Sequence, residues 1–180
     1  MPFDTATAYP HRMTELDEIW SQMLASAAAN ASEAGRSDVA DLLRLKASND
    51  AITSAGVRWL FDTVIEIAAN ANRGHASLTI ERDDPHNFAH GNSNLVGTRV
   101  MVRQGVRCLT VEAGWTRTPS DGIMRGGALA IARVSHFGMP KMTAELKLVS
   151  EEPTPKWRNA ETSDQVDSAE LMRHLEILTT

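Results

Sequence analysis

Leu95-Val96-Gly97-Thr98-Arg99-Val100-Met101-Val102-Arg103-Gln104-Gly105-Val106-Arg107-Cys108-Leu109-Thr110-Val111-Glu112-Ala113-Gly114-Trp115-Thr116 alternates apolar and polar side chains on both sides of Gln104-Gly105. A period of two sends successive side chains to opposite faces of a strand, and a central glycine marks a tight reversal. The stretch reads as a hairpin of strands 95–104 and 106–116. With Gln104-Gly105 as the turn, Arg103 faces Val106, Met101 faces Cys108, Arg99 faces Thr110 and Gly97 faces Glu112. The other face pairs Val102 with Arg107, Val100 with Leu109, Thr98 with Val111 and Val96 with Ala113. That second face is the apolar one, and it calls for a helical layer against it. The first face keeps Arg99, Arg103, Thr110 and Glu112, with Arg99 and Glu112 in diagonal reach of an ion pair.

Upstream of the hairpin the apolar period is near four. Leu16, Ile19, Trp20, Met23, Leu24 and Ala27 follow Thr14, which reads as an N-cap with Glu15, Asp17 and Glu18 in the first turn. A second helix starts at Ser37 or Asp38 with Val39, Leu42, Leu43 and Leu45. Ser48-Asn49-Asp50 is either an interruption or a fresh N-cap. Ile52, Val57, Leu60, Phe61, Val64, Ile65 and Ala68 then form a wide stripe that Asn70, Asn72 and Gly74 close. Trp20 and Trp59 fall on these stripes as core residues.

Leu78 and Ile80 mark a short strand, and 83–94 reads as a polar loop. Strand 127–137 is apolar on both faces for most of its length and therefore central or covered on its second face, while 142–149 alternates again. Segment 151–163 is a polar linker with Pro153 and Pro155, anchored by Trp157. A final helix within 164–180, capped at Ser163 or Asp164, carries Leu171, Leu175 and Leu178 on one face beside Met172. That face must dock on the open face of the sheet or on a second chain. The expected fold is α+β. Two to three N-terminal helices (14–73) cover one face of an antiparallel sheet of about five strands (76–149) in a single domain, 1–150. The order resembles the general plan of cystatin-like or cone-shaped ligand-binding α+β folds, a likeness of architecture that implies no activity.

The chain has 180 residues and a net charge of −5, which gives no general attraction to nucleic acid or acidic membranes. Charge is uneven: residues 76–150 carry nine basic and six acidic side chains, whereas 1–75 carry six and ten. Arg82, Arg99, Arg103, Arg107, Arg117, Arg125 and Arg133 dominate that middle, as guanidinium forks for carboxylates or as cross-strand ion pairs. Cys108 stands alone, so no intramolecular disulfide forms, and a reducing, cytoplasmic setting fits. Pro2-Phe3-Asp4-Thr5 is no basic-then-apolar leader, and the stripe around Trp59-Leu60-Phe61 is broken by Arg58, Asp62 and Glu66.

Two stretches nominate a site. Gly114-Trp115-Thr116-Arg117-Thr118-Pro119-Ser120-Asp121-Gly122-Ile123-Met124-Arg125-Gly126-Gly127 is long for a hairpin connection and suggests a binding loop. Arg117, Arg125 and the glycine amides have the makings of an anion nest, with Trp115 as a wall. No phosphate loop, dinucleotide fingerprint or nucleophile elbow is present. His86 and His90 share i, i+4 spacing, a zinc pattern if the segment were helical; its glycine and asparagines favour a loop and no metal. His136, at the end of the central strand, is an acid/base candidate or a structural histidine. The polar hairpin face has no exposed aromatics, which disfavours RNA binding. The expected function is binding of a small anionic ligand, without a cofactor, by Trp115, Arg117, Asp121, Arg125 and His136. The alternatives are an enzyme using the same cleft with His136 or His86, or an accessory subunit, including a homo-oligomer, docking through the C-terminal helix.

Overall fold

A computed structural model describes residues 12–180, with side chains from Asp17 onward. Pro2-Phe3-Asp4-Thr5 and the side chains of Thr14, Glu15 and Leu16 lie outside the described residues. Helix α1 (Arg12–Glu33) and helix α2 (Ser37–Arg73) form an antiparallel hairpin, so Thr14 sits inside α1 rather than at its cap. α2 runs unbroken for 37 residues, roughly 55 Å. Ser48-Asn49-Asp50 does not interrupt it, because the polar groups find partners without leaving the helix. Thr53 Oγ1 donates to the Asn49 carbonyl, and Asp50 accepts from Trp20 Nε1 of α1 at 2.8 Å. After α2, the Asn72 amide brackets the backbone of Leu78, donating to its carbonyl and accepting from its N–H.

Six strands follow in chain order: β1 (Thr79–His90), β2 (Ser93–Gln104), β3 (Arg107–Trp115), β4 (Ala130–His136), β5 (Ala144–Val149) and β6 (Lys156–Asn159). Every neighbour pair is antiparallel, and the spatial order equals the sequence order. Helix α3 (Ser168–Thr179) completes the chain. The α+β architecture and antiparallel sheet stand as the periodicity implies, with six strands instead of about five. The extra strand is β6, inside the stretch read as a linker. Its Trp157 is buried and donates from Nε1 to the Gly56 carbonyl of α2.

β1 is much longer than the short strand expected, and 83–94 is no loop. An edge strand with one open face tolerates Pro85 and a run of polar side chains, because its outer edge has no second ladder to satisfy and its open face has no core to fill. A bulge between Asp83 and His86 absorbs the irregularity.

The first hairpin keeps the expected faces but moves its register by two. The turn is Gly105-Val106, closing Gln104 on Arg107, since Gly105 supplies φ +59° at the first turn position. Arg99 therefore lies directly opposite Glu112.

The core lies on one face of the sheet. Leu60, Phe61, Val64 and Ala68 of α2 and Leu171, Leu175 and Leu178 of α3 pack on Val100, Leu109, Val111, Ala132, Val134 and Leu148. α3 thus docks beside α2 rather than on the open face or a second chain. Its cap is Asp167, which accepts from the Glu170 N–H, not Ser163 or Asp164. Trp59 is 42% exposed and departs from the expected core. Among the described residues, no helix is long and apolar enough to cross a membrane.

Candidate functional site

The open face of the sheet carries two kinds of row. Across its middle, strand register sets Asp83, Arg99, Glu112, Arg133 and Glu145 side by side, alternating in charge over five strands. Arg99 Nε donates to Asp83 at 2.8 Å, and Arg133 Nη1 donates to Glu112 Oε1 at 2.9 Å. The other Glu112 oxygen lies 2.8 Å from His86 Nε2. One strand step away, Gly97 and Gly114 face each other without side chains. A Cβ on Gly97 would stand 1.8 Å from the Ala113 carbonyl oxygen, so only glycine allows this approach.

Beyond that bare step the face turns apolar. Phe88, Leu95, Ala128 and Ile131 form a second, smaller cluster with Met124 packed against it. Leu95, Ile131 and Met124 of this cluster line the base of a hollow of about 530 Å³ between the tip of the β1–β2 hairpin and the segment 122–125. His90, Ser93, Leu95, Met124, Arg125 and Ile131 are among its lining residues. Both stretches that the sequence nominates contribute to it.

The long loop is held in place from within. A 3-10 turn at Pro119–Asp121 is closed by a reciprocal cap: Asp121 Oδ2 accepts from the Thr118 N–H and hydroxyl and from the Arg117 N–H. The Thr118 hydrogen bonds, led by the backbone one, hold the Asp121 carboxyl below its ordinary pKa, with a smaller contribution from the Asn94 side chain. Gly122, at φ +103°, then passes so close to β2 that a Cβ there would lie 2.5 Å from Ser93 Oγ. Ser93 Oγ also donates to the Ile123 carbonyl at 3.3 Å. The segment leading to Arg125 is thereby pinned to the β1–β2 tip.

The five expected ligand residues do not converge. Arg125 lines the hollow. Asp121 is a staple of the loop. Trp115 is buried on the helix-covered face, with the Arg117 guanidinium 3.6 Å from its ring centroid. Arg117 Nη1 also pairs with Asp17 of α1 at 2.9 Å, which makes that arginine a clamp between loop and helix. His136 lies at the far end of β4, opposite Leu109, on the face that α3 covers. Its Nε2 is 3.0 Å from His174 Nδ1, the rings stack with centroids 5.3 Å apart, and both residues are buried. Burial, then repulsion from His174, lowers the pKa of His136. Burial also lowers that of His174, with Arg173 adding to the shift and Glu170 opposing it.

His86 and His90 sit on a strand, where i, i+4 means roughly 13 Å of separation rather than a shared helical face. Each faces its own carboxylate: Glu112 for His86, and Glu145 for His90 at 3.5 Å. No group of three metal-binding side chains gathers among the described residues. Sequence reasoning missed Ser93, Leu95 and Ile131 as lining residues. The signal was the period-two run His86, Phe88, His90, which places all three on one strand face once the segment is read as β.

Compared with protein-family models, curated proteins and solved structures, the chain finds no match.

Proposed function

We propose that this chain binds a small anionic molecule in the hollow between the β1–β2 tip and the segment 122–125. One observation carries the reading. Arg125 lines this hollow, and its guanidinium makes no hydrogen bond or ion pair with any described residue. Most other arginines of the sheet region have acceptors: Arg99 has Asp83, Arg103 has Glu81, Arg117 has Asp17 and Arg133 has Glu112. A free planar fork beside an apolar cavity of this size suits a ligand carboxylate or phosphate. The lone, buried Cys108 fits a reducing compartment such as the cytoplasm.

The test is a thermal-shift series with acetate, benzoate, succinate and inorganic phosphate. A ligand present at a hundred times its Kd adds about 2.7 kcal/mol, or roughly 5–10 °C for a chain of this size. Arg125→Ala should remove the shift while leaving the unliganded Tm in place. An unchanged shift in Arg125→Ala would refute the reading.

A second reading, catalysis, draws on His86 and Glu112. The imidazole is oriented by a carboxylate at 2.8 Å and stacks on Phe88, centroids 5.7 Å apart, a ring that packs in one cluster with the lining residues Leu95 and Ile131. Such a pair is suited to general-base work. If the hollow is catalytic, His86→Gln abolishes turnover of a bound ligand and leaves Arg125-dependent binding intact.

A further inference from the structure

We infer that the ligand of this hollow is an amphipathic monocarboxylate: one negative charge at the rim and an apolar body of limited length over the floor. The inference rests on the anion-binding reading above and narrows it to a chemical class. Three observations carry it.

The first is the floor. The apolar surface open to the hollow comes from the half-buried Met124 and from Ile123, which is 79% exposed, above a base of Leu95 and Ile131 that the protein itself already buries. A small inorganic anion has no use for that exposed surface, whereas a hydrocarbon body covers it and gains by leaving water.

The second is the charge around the rim. Arg125 is the one arginine or lysine among the lining residues. His90, also in the lining, stands 3.5 Å from the Glu145 carboxylate, and Lys147, opposite Ile131 on β5, lies outside the lining. A single carboxylate satisfies Arg125; a di- or triphosphate does not find enough positive charge.

The third is length. Along β2 the open-face residues nearest the hollow run Ser93, Leu95, Gly97 and Arg99, with Met101 and Arg103 beyond them. The apolar floor ends at the bare Gly97–Gly114 step, and beyond it lies the charged row of Asp83, Arg99, Glu112 and Arg133. From the rim at Ser93 to Gly97 is roughly 13 Å. A longer chain would push methylenes onto paired ions, which gains nothing and costs desolvation.

The experiment is calorimetric titration of straight-chain monocarboxylates from acetate to dodecanoate, below their micellar concentrations. Inorganic phosphate and the primary alcohol of the best acid are measured alongside. Affinity should rise about fourfold per added methylene and level off once the chain outgrows the floor. Arg125→Ala should weaken the acids to the level of the alcohol. Met124→Gln, a change on an accessible loop, should flatten the chain-length dependence while keeping the Arg125 dependence. Phosphate binding that depends on Arg125, with affinities flat in chain length, would overturn the inference and leave the anion reading standing. An alcohol bound as tightly as its acid, or no Arg125-dependent binding by any probe, would overturn both.

Discussion

The two faces of this sheet are built from the same strands and solve opposite problems. On the helix-covered face, Val100, Val111, Ala132 and Val134 are fully or almost fully buried under α2 and α3. Polar groups there are few, and the buried pair His136–His174 is satisfied by mutual contact. On the open face the middle row is ionic, yet its charges answer one another across five strands. One face gains stability by excluding water, and the other remains wet, with opposite charges set beside one another along its middle row. The end of the open face near 122–125 departs from both patterns, with apolar lining and a guanidinium that has no partner among the described residues. That difference is what supports the site proposed there.

Substitutions that break this comparison differ in size. The largest loss is expected on the covered face, where Phe61→Ala should cost about 3–5 kcal/mol in urea unfolding. A cost under about 1 kcal/mol would mean that α2 does not organise the core. Gly97→Ala comes next, at about 1–3 kcal/mol, because its Cβ would strike the Ala113 backbone, which cannot move without opening the β2–β3 ladder. Glu112→Gln should cost about 1 kcal/mol, since it weakens contacts with Arg133 and His86 that are partly screened by solvent.

The histidine pair sharpens the contrast through pH. Both imidazoles have folded-state pKa values below the ordinary one, so the unfolded chain takes up protons first as pH falls. Stability contributed by the pair is therefore full above about 6.5 and is lost as pH falls from there toward the folded values. Because the pair bridges β4 and α3, the protection factors of α3 amides, taken relative to the intrinsic exchange rate at each pH, should fall between pH 7 and pH 5. In His174→Gln that fall should shrink, with Glu170 and Arg173 left as the charged groups beside the position. An α3 protected equally at both pH values would sink the idea. The smallest stability effect, within about 0.5 kcal/mol, is expected for the exposed Arg125→Ala, even though that change should remove ligand binding.

Much of this was legible in the chain. The period-two runs after Leu95 assign faces correctly even though the register slips by two, because a shift of two residues preserves which side chains point where. The long loop stands out in the sequence by its glycines, and Arg125 within it lines the hollow. The remaining nominations scattered for specific reasons. Arg117 is drawn to Asp17, one hundred residues earlier, and His136 to His174, thirty-eight residues later; no local pattern announces such partners. The second half of β1 escaped notice because an edge strand with one open face carries few of the apolar residues by which strands are recognised.

The sequence by itself determined the α+β order, the helical hairpin, the apolar face of the sheet and the central character of β4. All follow from periodicity, and periodicity is a local property of the backbone. Tertiary structure alone decided where α3 docks, which charges pair across the open face, and that segments around His90 and Arg125 share one hollow. Those outcomes depend on strand order and register, which bring together residues far apart in the chain. They are fixed only when the entire sheet closes around its core.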